Sequence, residues 1–132
     1  MPTLTDEQLD SEVLYVLGWH VGQNNAIDRW DLVEKVFGQP VPMELRNDDN
    51  LQDRDIRYSV GRLRIKGHLI CDLGDGNGRW LAENEEEFWK FYSYYVKPIQ
   101  ARAEIARAMK DAAMRQWPNL LQPNLFDLES VR

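Results

Sequence analysis

Between Leu51 and Asn84 the sequence reads LQDRDIRYSVGRLRIKGHLICDLGDGNGRWLAEN, a helical period that stops at a glycine and gives way to two short strand-forming runs. Ile56, Val60 and Leu63 recur at spacings of four and three, which makes one apolar stripe on a helix. Arg54, Tyr58, Gly61 and Ile65 fall on the opposite side, flanked by Arg57 and Arg62. Asp53 and Asp55 occupy the first turn, where carboxylates complement the positive end of the helix dipole. Gly67, after Lys66, supplies a left-handed stop. His68 to Leu73 and Arg79 to Ala82 are rich in strand formers, and the glycines of Gly74-Asp75-Gly76-Asn77-Gly78 allow the positive φ values of a tight connection.

Upstream, Thr5 to about Gly22 reads as a helix capped by Thr5 or Ser11, with Leu9, Val13, Val16, Leu17 and either His20 or Val21 turned inward. Gly22 to Asn25 is a turn, and Ala26-Ile27 a very short strand. Asp28 caps a second helix, Arg29 to Phe37, which buries Leu32, Val33, Val36 and Phe37 and ends at Gly38. Pro40 and Pro42 forbid its continuation, leaving a connecting loop of about 13 residues up to Asn50. The predicted fold is mainly α with a small β-hairpin (α+β). It is a winged helix-turn-helix over residues 1–84, in which one helix is offered to a nucleic-acid groove with a hairpin beside it.

Residues 85–117 read as a long C-terminal helix, and 118–132 as a flexible tail. Asn84 is the expected cap and Glu87 its reciprocal partner, with Glu85, Glu86 and Glu87 at the positive end of the dipole. Phe88, Tyr92, Tyr95, Ile99, Ala103, Ala106, Met109, Ala113 and Trp117 continue one stripe along it. Its aromatic first half is expected to pack on the domain, and its alanine-rich second half is a candidate surface for a homodimer. Pro98 is expected to kink or split the helix near Lys97.

At 132 residues and 43% apolar content the chain has the size and core of one domain. Two histidines and one cysteine exclude a Cys/His zinc cluster and an internal disulfide framework. Cys71 reads as a small core residue and His20 as a helix-surface or packed residue. There is no secretory signal and no apolar run of membrane-spanning length, so a cytoplasmic protein with no membrane partner is expected. No pairing of nucleophile with base and no general acid–base pair stands out, and GDGNG lacks the lysine and helix of a phosphate loop. The reading is a non-enzyme without a cofactor or metal.

Net charge is −6, which opposes nucleic-acid binding, but the charge is unevenly spread. Residues 1–50 carry ten acids and three bases, whereas 51–80 carry six bases and four acids. Arginine can contact guanine O6 and N7 together, or a phosphate. Arg54, Arg57 and Tyr58 in the first turns of the helix are therefore candidate base contacts, with Gln52 just before them as an adenine reader. Arg62, Arg64 and Lys66 are candidate phosphate contacts, and Asn77 and Arg79 reach from the hairpin. The alternative is a solvated helix face of Asp–Arg pairs such as Asp53 with Arg57.

DRDIRYSVGRLRIKGHLIC, a glycine-rich turn and then RWLAENEEEF before a long helix resemble small winged-helix proteins of bacteriophages and prophages. These commonly carry D-R-x-I-R, then L-R-x-x-G, an apolar strand, a glycine turn and a strand ending before E-E-E. The resemblance covers about residues 50–110 and implies a protein bound to double-stranded DNA in replication or its control. Arg54, Arg57 and Arg64 match the basic positions, and Ile56, Val60 and Leu63 the core ones. Tyr58 and Gly61 on the exposed face depart from the pattern. A transcriptional regulator is the nearest variant, and a winged helix that binds only proteins is the alternative class.

Gln122-Pro123-Asn124-Leu125-Phe126 resembles the short peptide by which bacterial and phage proteins bind the replicative sliding clamp. That resemblance implies Leu125 and Phe126 in an apolar pocket and Gln122 hydrogen-bonded at its rim. Pro123 stands where the family prefers leucine. The alternative is that Leu120, Leu121, Leu125 and Phe126 dock the tail on the domain.

Overall fold

The computed structural model describes residues 4–74 and 78–119. It is mainly helical, with one two-stranded antiparallel sheet: α1 Asp6–Leu17, α2 Arg29–Phe37, α3 Leu51–Ile65, β1 Ile70–Asp72, β2 Arg79–Leu81 and α4 Glu85–Gln116. The contacts divide the chain into two compact units, Met1–Tyr94 and Tyr95–Arg132. The division falls inside α4.

Local chemistry accounts for the helix ends. Thr5, not Ser11, caps α1: its hydroxyl accepts from the Gln8 N–H, and the Gln8 side chain returns the bond to the Thr5 N–H. Asp28 caps α2 through the N–H groups of Trp30 and Asp31, and Asn50 caps α3 through that of Asp53. Gly38 closes α2 at φ 75°, a left-handed position that costs glycine nothing.

α1 is shorter than its periodicity suggested. It stops at Gly18, and Val21 is exposed while His20 is half-buried. The backbone from His20 to Gly22 is instead taken by the sheet: Leu81 N–H donates to the His20 carbonyl and Gly22 N–H to the Leu81 carbonyl. Further along, Ile27 and Arg79 exchange both backbone bonds, at 2.9 and 3.0 Å. β2 therefore lies between β1 on one side and the 20–27 segment on the other. Ile27 is the only part of the expected Ala26-Ile27 strand that pairs among the described residues.

Leu9, Val13, Val16 and Leu17 of α1, Leu32, Val33 and Val36 of α2, and Ile56, Val60 and Leu63 of α3 form one cluster with Ile27, Val41 and Ile70. At about 25 cal/mol per Å² of apolar surface removed from water, this three-helix core is the main stabilising term. The loop after α2 is ordered rather than slack. Glu34 accepts from the Val41 N–H and from Arg46, Arg46 also donates to the Val41 carbonyl, and Asn50 donates to the Leu45 carbonyl.

The start of α4 is tied to the sheet through Glu87. Its carboxylate accepts from the Trp80 indole at 3.0 Å, the Gln23 N–H at 3.2 Å and the Glu83 N–H at 3.2 Å, while Asn84 caps the Glu87 N–H. The reciprocal bond expected at Asn84 thus goes to the residue before it. Pro98 does not split α4, which remains one helix to Gln116. The aromatic face packs only in part: no α4 side chain is buried, Phe88 and Phe91 are half-buried, and Trp89, Tyr92, Tyr94 and Tyr95 are exposed. No described helix is long and apolar enough to cross a membrane.

Candidate functional site

The six bases of residues 51–80 have unlike environments. Arg54 is exposed, its guanidinium 6.0 Å from the ring centre of Tyr58, which is 60% exposed. Lys66 is exposed at the end of α3, with its ammonium 3.9 Å from Asp10. Gln52 is half-buried. Arg57 is partly withdrawn: its Nε lies 3.3 Å from Asp53 and its Nη2 donates to the Asp48 carbonyl at 3.1 Å.

Arg62 and Arg64 serve the interior. Asp10 of α1 is buried, and it accepts from Arg62 through Nε and Nη2 at 2.8–3.1 Å and from the Ser59 hydroxyl at 2.6 Å. The Arg62 hydrogen bonds hold the Asp10 carboxyl below the usual carboxylate range, against the opposing effect of burial. Arg64 donates to the Ile70 carbonyl and to Asp72, both at 2.9 Å, and lies 4.9 Å from the centre of the Phe91 ring. The sequence marks both arginines as candidate phosphate contacts. Here they join α3 to α1 and to the hairpin, Arg62 through the buried Asp10 and Arg64 through the half-buried Asp72.

A second cluster was not legible in the sequence. Asp53, with no exposed side-chain surface, accepts from Arg29 Nε at 2.9 Å and Nη2 at 2.7 Å, a bidentate pair joining the starts of α2 and α3. Asp48 takes a further bond from Arg29 at 2.9 Å, and the Asp53 hydrogen bonds raise the Arg29 pKa above its ordinary value. Arg79 sits beside this cluster in β2, opposite Asp72. Its Nη1 is buried without a hydrogen-bond partner among the described residues, and burial pushes its pKa down. A cavity of about 460 Å³ opens here, lined by Arg29, Asp48, Arg57, Asp72 and Arg79 with Gly74 and Gly78.

Asn77, Gln122, Leu125 and Phe126 lie outside the described residues. Cys71 is buried in β1, and burial pushes its thiol up to about 11. The His20 ring bonds the Asn25 carbonyl at 2.7 Å. No cluster of three or more His, Cys, Asp or Glu side chains suited to a metal ion occurs among the described residues. The contacts of Asp10 with Ser59 and Arg62, of Arg29 with Asp53 and of Glu87 with Gln23 had no signal in the sequence, because these partners lie 24 to 64 residues apart. Comparison with protein families, with curated proteins and with solved structures finds no match.

Proposed function

We propose that the protein is a winged helix-turn-helix DNA-binding protein of phage or prophage type, acting in DNA replication or its control. The carrying observation is the outer face of α3, where Arg54, Arg57, Tyr58 and Lys66 reach solvent while Arg62 and Arg64 pair with Asp10 and Asp72. The order of three helices followed by a hairpin supports the same reading. Arg54, which makes no ion pair among the described residues, is the best placed to contact a base edge, with Tyr58 beside it. Lys66 is suited to a phosphate.

Fluorescence anisotropy of a labelled duplex at low and moderate salt tests this. Binding should weaken steeply with salt. Arg54→Ala with Tyr58→Ala should weaken it by about 5- to 150-fold, the loss expected for a good base contact. An undiminished double variant would move the interface off α3. No binding even at low salt would favour a winged helix that binds proteins, a second reading supported by the net charge of −6 and the exposed Trp89, Tyr92, Tyr94 and Tyr95. Recruitment by the sliding clamp is proposed on the sequence of 122–126. Leu125→Ala with Phe126→Ala should abolish clamp binding and leave DNA affinity unchanged.

A further inference from the structure

The buried Nη1 of Arg79, which has no hydrogen-bond partner among the described residues, defines a second kind of site. Strand alternation sends Trp80 into the core, so Arg79 projects from the opposite face of β2, where the cavity lies. The neighbouring cations already have carboxylates: Arg29 pairs with Asp53 and Asp48, Arg57 with Asp53, and Arg64 with Asp72. Asp53 accepts from Arg29 through both oxygens and lies 3.3 Å from Arg57, and it does not reach Nη1 of Arg79. Among the described residues four guanidiniums, those of Arg29, Arg57, Arg64 and Arg79, face three carboxylates, those of Asp48, Asp53 and Asp72, leaving one positive charge, and the buried nitrogen without a partner is on Arg79. A desolvated, unpaired cation is unfavourable until an anion joins it.

We infer that this cavity binds a singly charged oxyanion, a phosphodiester group, held by the guanidinium of Arg79 with those of Arg57 and Arg29 beside it. The planar guanidinium fork matches two phosphate oxygens. The single uncompensated charge matches a phosphodiester, whereas a terminal phosphate carries closer to two negative charges at neutral pH. Asp48 is no barrier to entry: its side chain is 88% exposed, so its bond to Arg29 is solvent-screened, and Arg29 stays anchored by Asp53 if it breaks. That the phosphodiester belongs to a DNA backbone rests on the function proposed above; a small free phosphodiester shares the chemistry.

The test is arginine-selective ¹⁵N NMR of the full chain, following Nε–H resonances during titration with dimethyl phosphate, inorganic phosphate and acetate at constant ionic strength, and then with a short duplex. The Arg79 signal is assigned by its loss in Arg79→Lys. It should shift saturably with dimethyl phosphate, at concentrations at least tenfold below those needed for acetate, while Arg54 stays still. Arg79→Met should melt no lower than the wild type in chloride, and should lose the rise in melting temperature that dimethyl phosphate gives the wild type. The absence of a saturable Arg79 shift, equal saturation by acetate, or a melting-temperature rise that survives Arg79→Met would overturn the site. With the duplex, Arg79 should shift and Arg79→Met should lower the salt-dependence slope by about one. A duplex that binds without moving Arg79 overturns the backbone-phosphate assignment and leaves the α3 reading intact. Saturation by dimethyl phosphate without duplex binding upholds the cavity as a site for a free phosphodiester and refutes the DNA reading.

Discussion

Asp10 is a carboxylate the fold cannot easily do without. It is buried between α1 and α3, where Arg62 and Ser59 replace the water it has lost. Asp10→Ala should cost about 2–3 kcal/mol in urea unfolding, since it removes charged hydrogen bonds, strips the Ser59 hydroxyl of its acceptor and leaves Arg62 only the exposed Asp6 at 3.8 Å. Its pH dependence has a definite sign. The folded-state pKa lies below the ordinary 3.8, so the contribution is complete above that value and is lost as pH falls through the folded one. The stability gap between wild type and Asp10→Asn should therefore be widest near neutrality and narrow below about pH 4. Periodicity put Asp10 on a helix beside Leu9 but carried no sign that Ser59 and Arg62 would meet it, some 50 residues away.

At the scale of the elements, the helices follow their local code closely, and α3 contains one departure from it. Gly61 is mid-helix with ordinary backbone angles, and a Cβ there would meet nothing within 4 Å. Gly61→Ala should raise stability by about 0.5–1 kcal/mol, read as a higher urea midpoint at unchanged m-value. Gly78 is the opposite case. It sits at φ 155°, and a Cβ would lie 3.0 Å from the Ala26 Cβ and 3.2 Å from the Ile27 carbonyl oxygen. Gly78→Ala should cost about 1–3 kcal/mol and loosen the pairing of Ile27 with β2, seen as faster amide exchange at Ile27 and Arg79. Turn chemistry made the hairpin legible. The pairing of the 20–27 segment with β2 was not, because it is set by where α1 stops and by the backbone groups that β2 leaves open.

For the whole molecule, every buried hydrophobic side chain among the described residues lies between Leu9 and Trp80. α4 contributes none, although Ile99, Ile105, Met109 and Met114 are exposed along its second half. Pairing of this stripe with a second copy of the chain is the proposed use of that surface. Sedimentation equilibrium should then show a dimer that Ile99→Glu with Met109→Glu converts to a monomer, with thermal unfolding of the core little changed. A wild type monomeric at high micromolar concentration would remove the homodimer from the account.

The sequence by itself determined where the helices form, the caps of α2 and α3, the apolar stripes of the first three helices and the two strands of the hairpin. These depend on neighbours three or four positions away, or on the φ preferences of single residues. Only the tertiary structure decided what each charged residue faces. Arg54 and Arg62 are the same residue type on one helix, yet one meets solvent and the other a buried carboxylate from α1. Arg29, Arg57 and Arg79 acquire a common cavity only when α2, α3 and β2 converge. The energy of a charge depends on its partners and its desolvation, and both are properties of the packed chain.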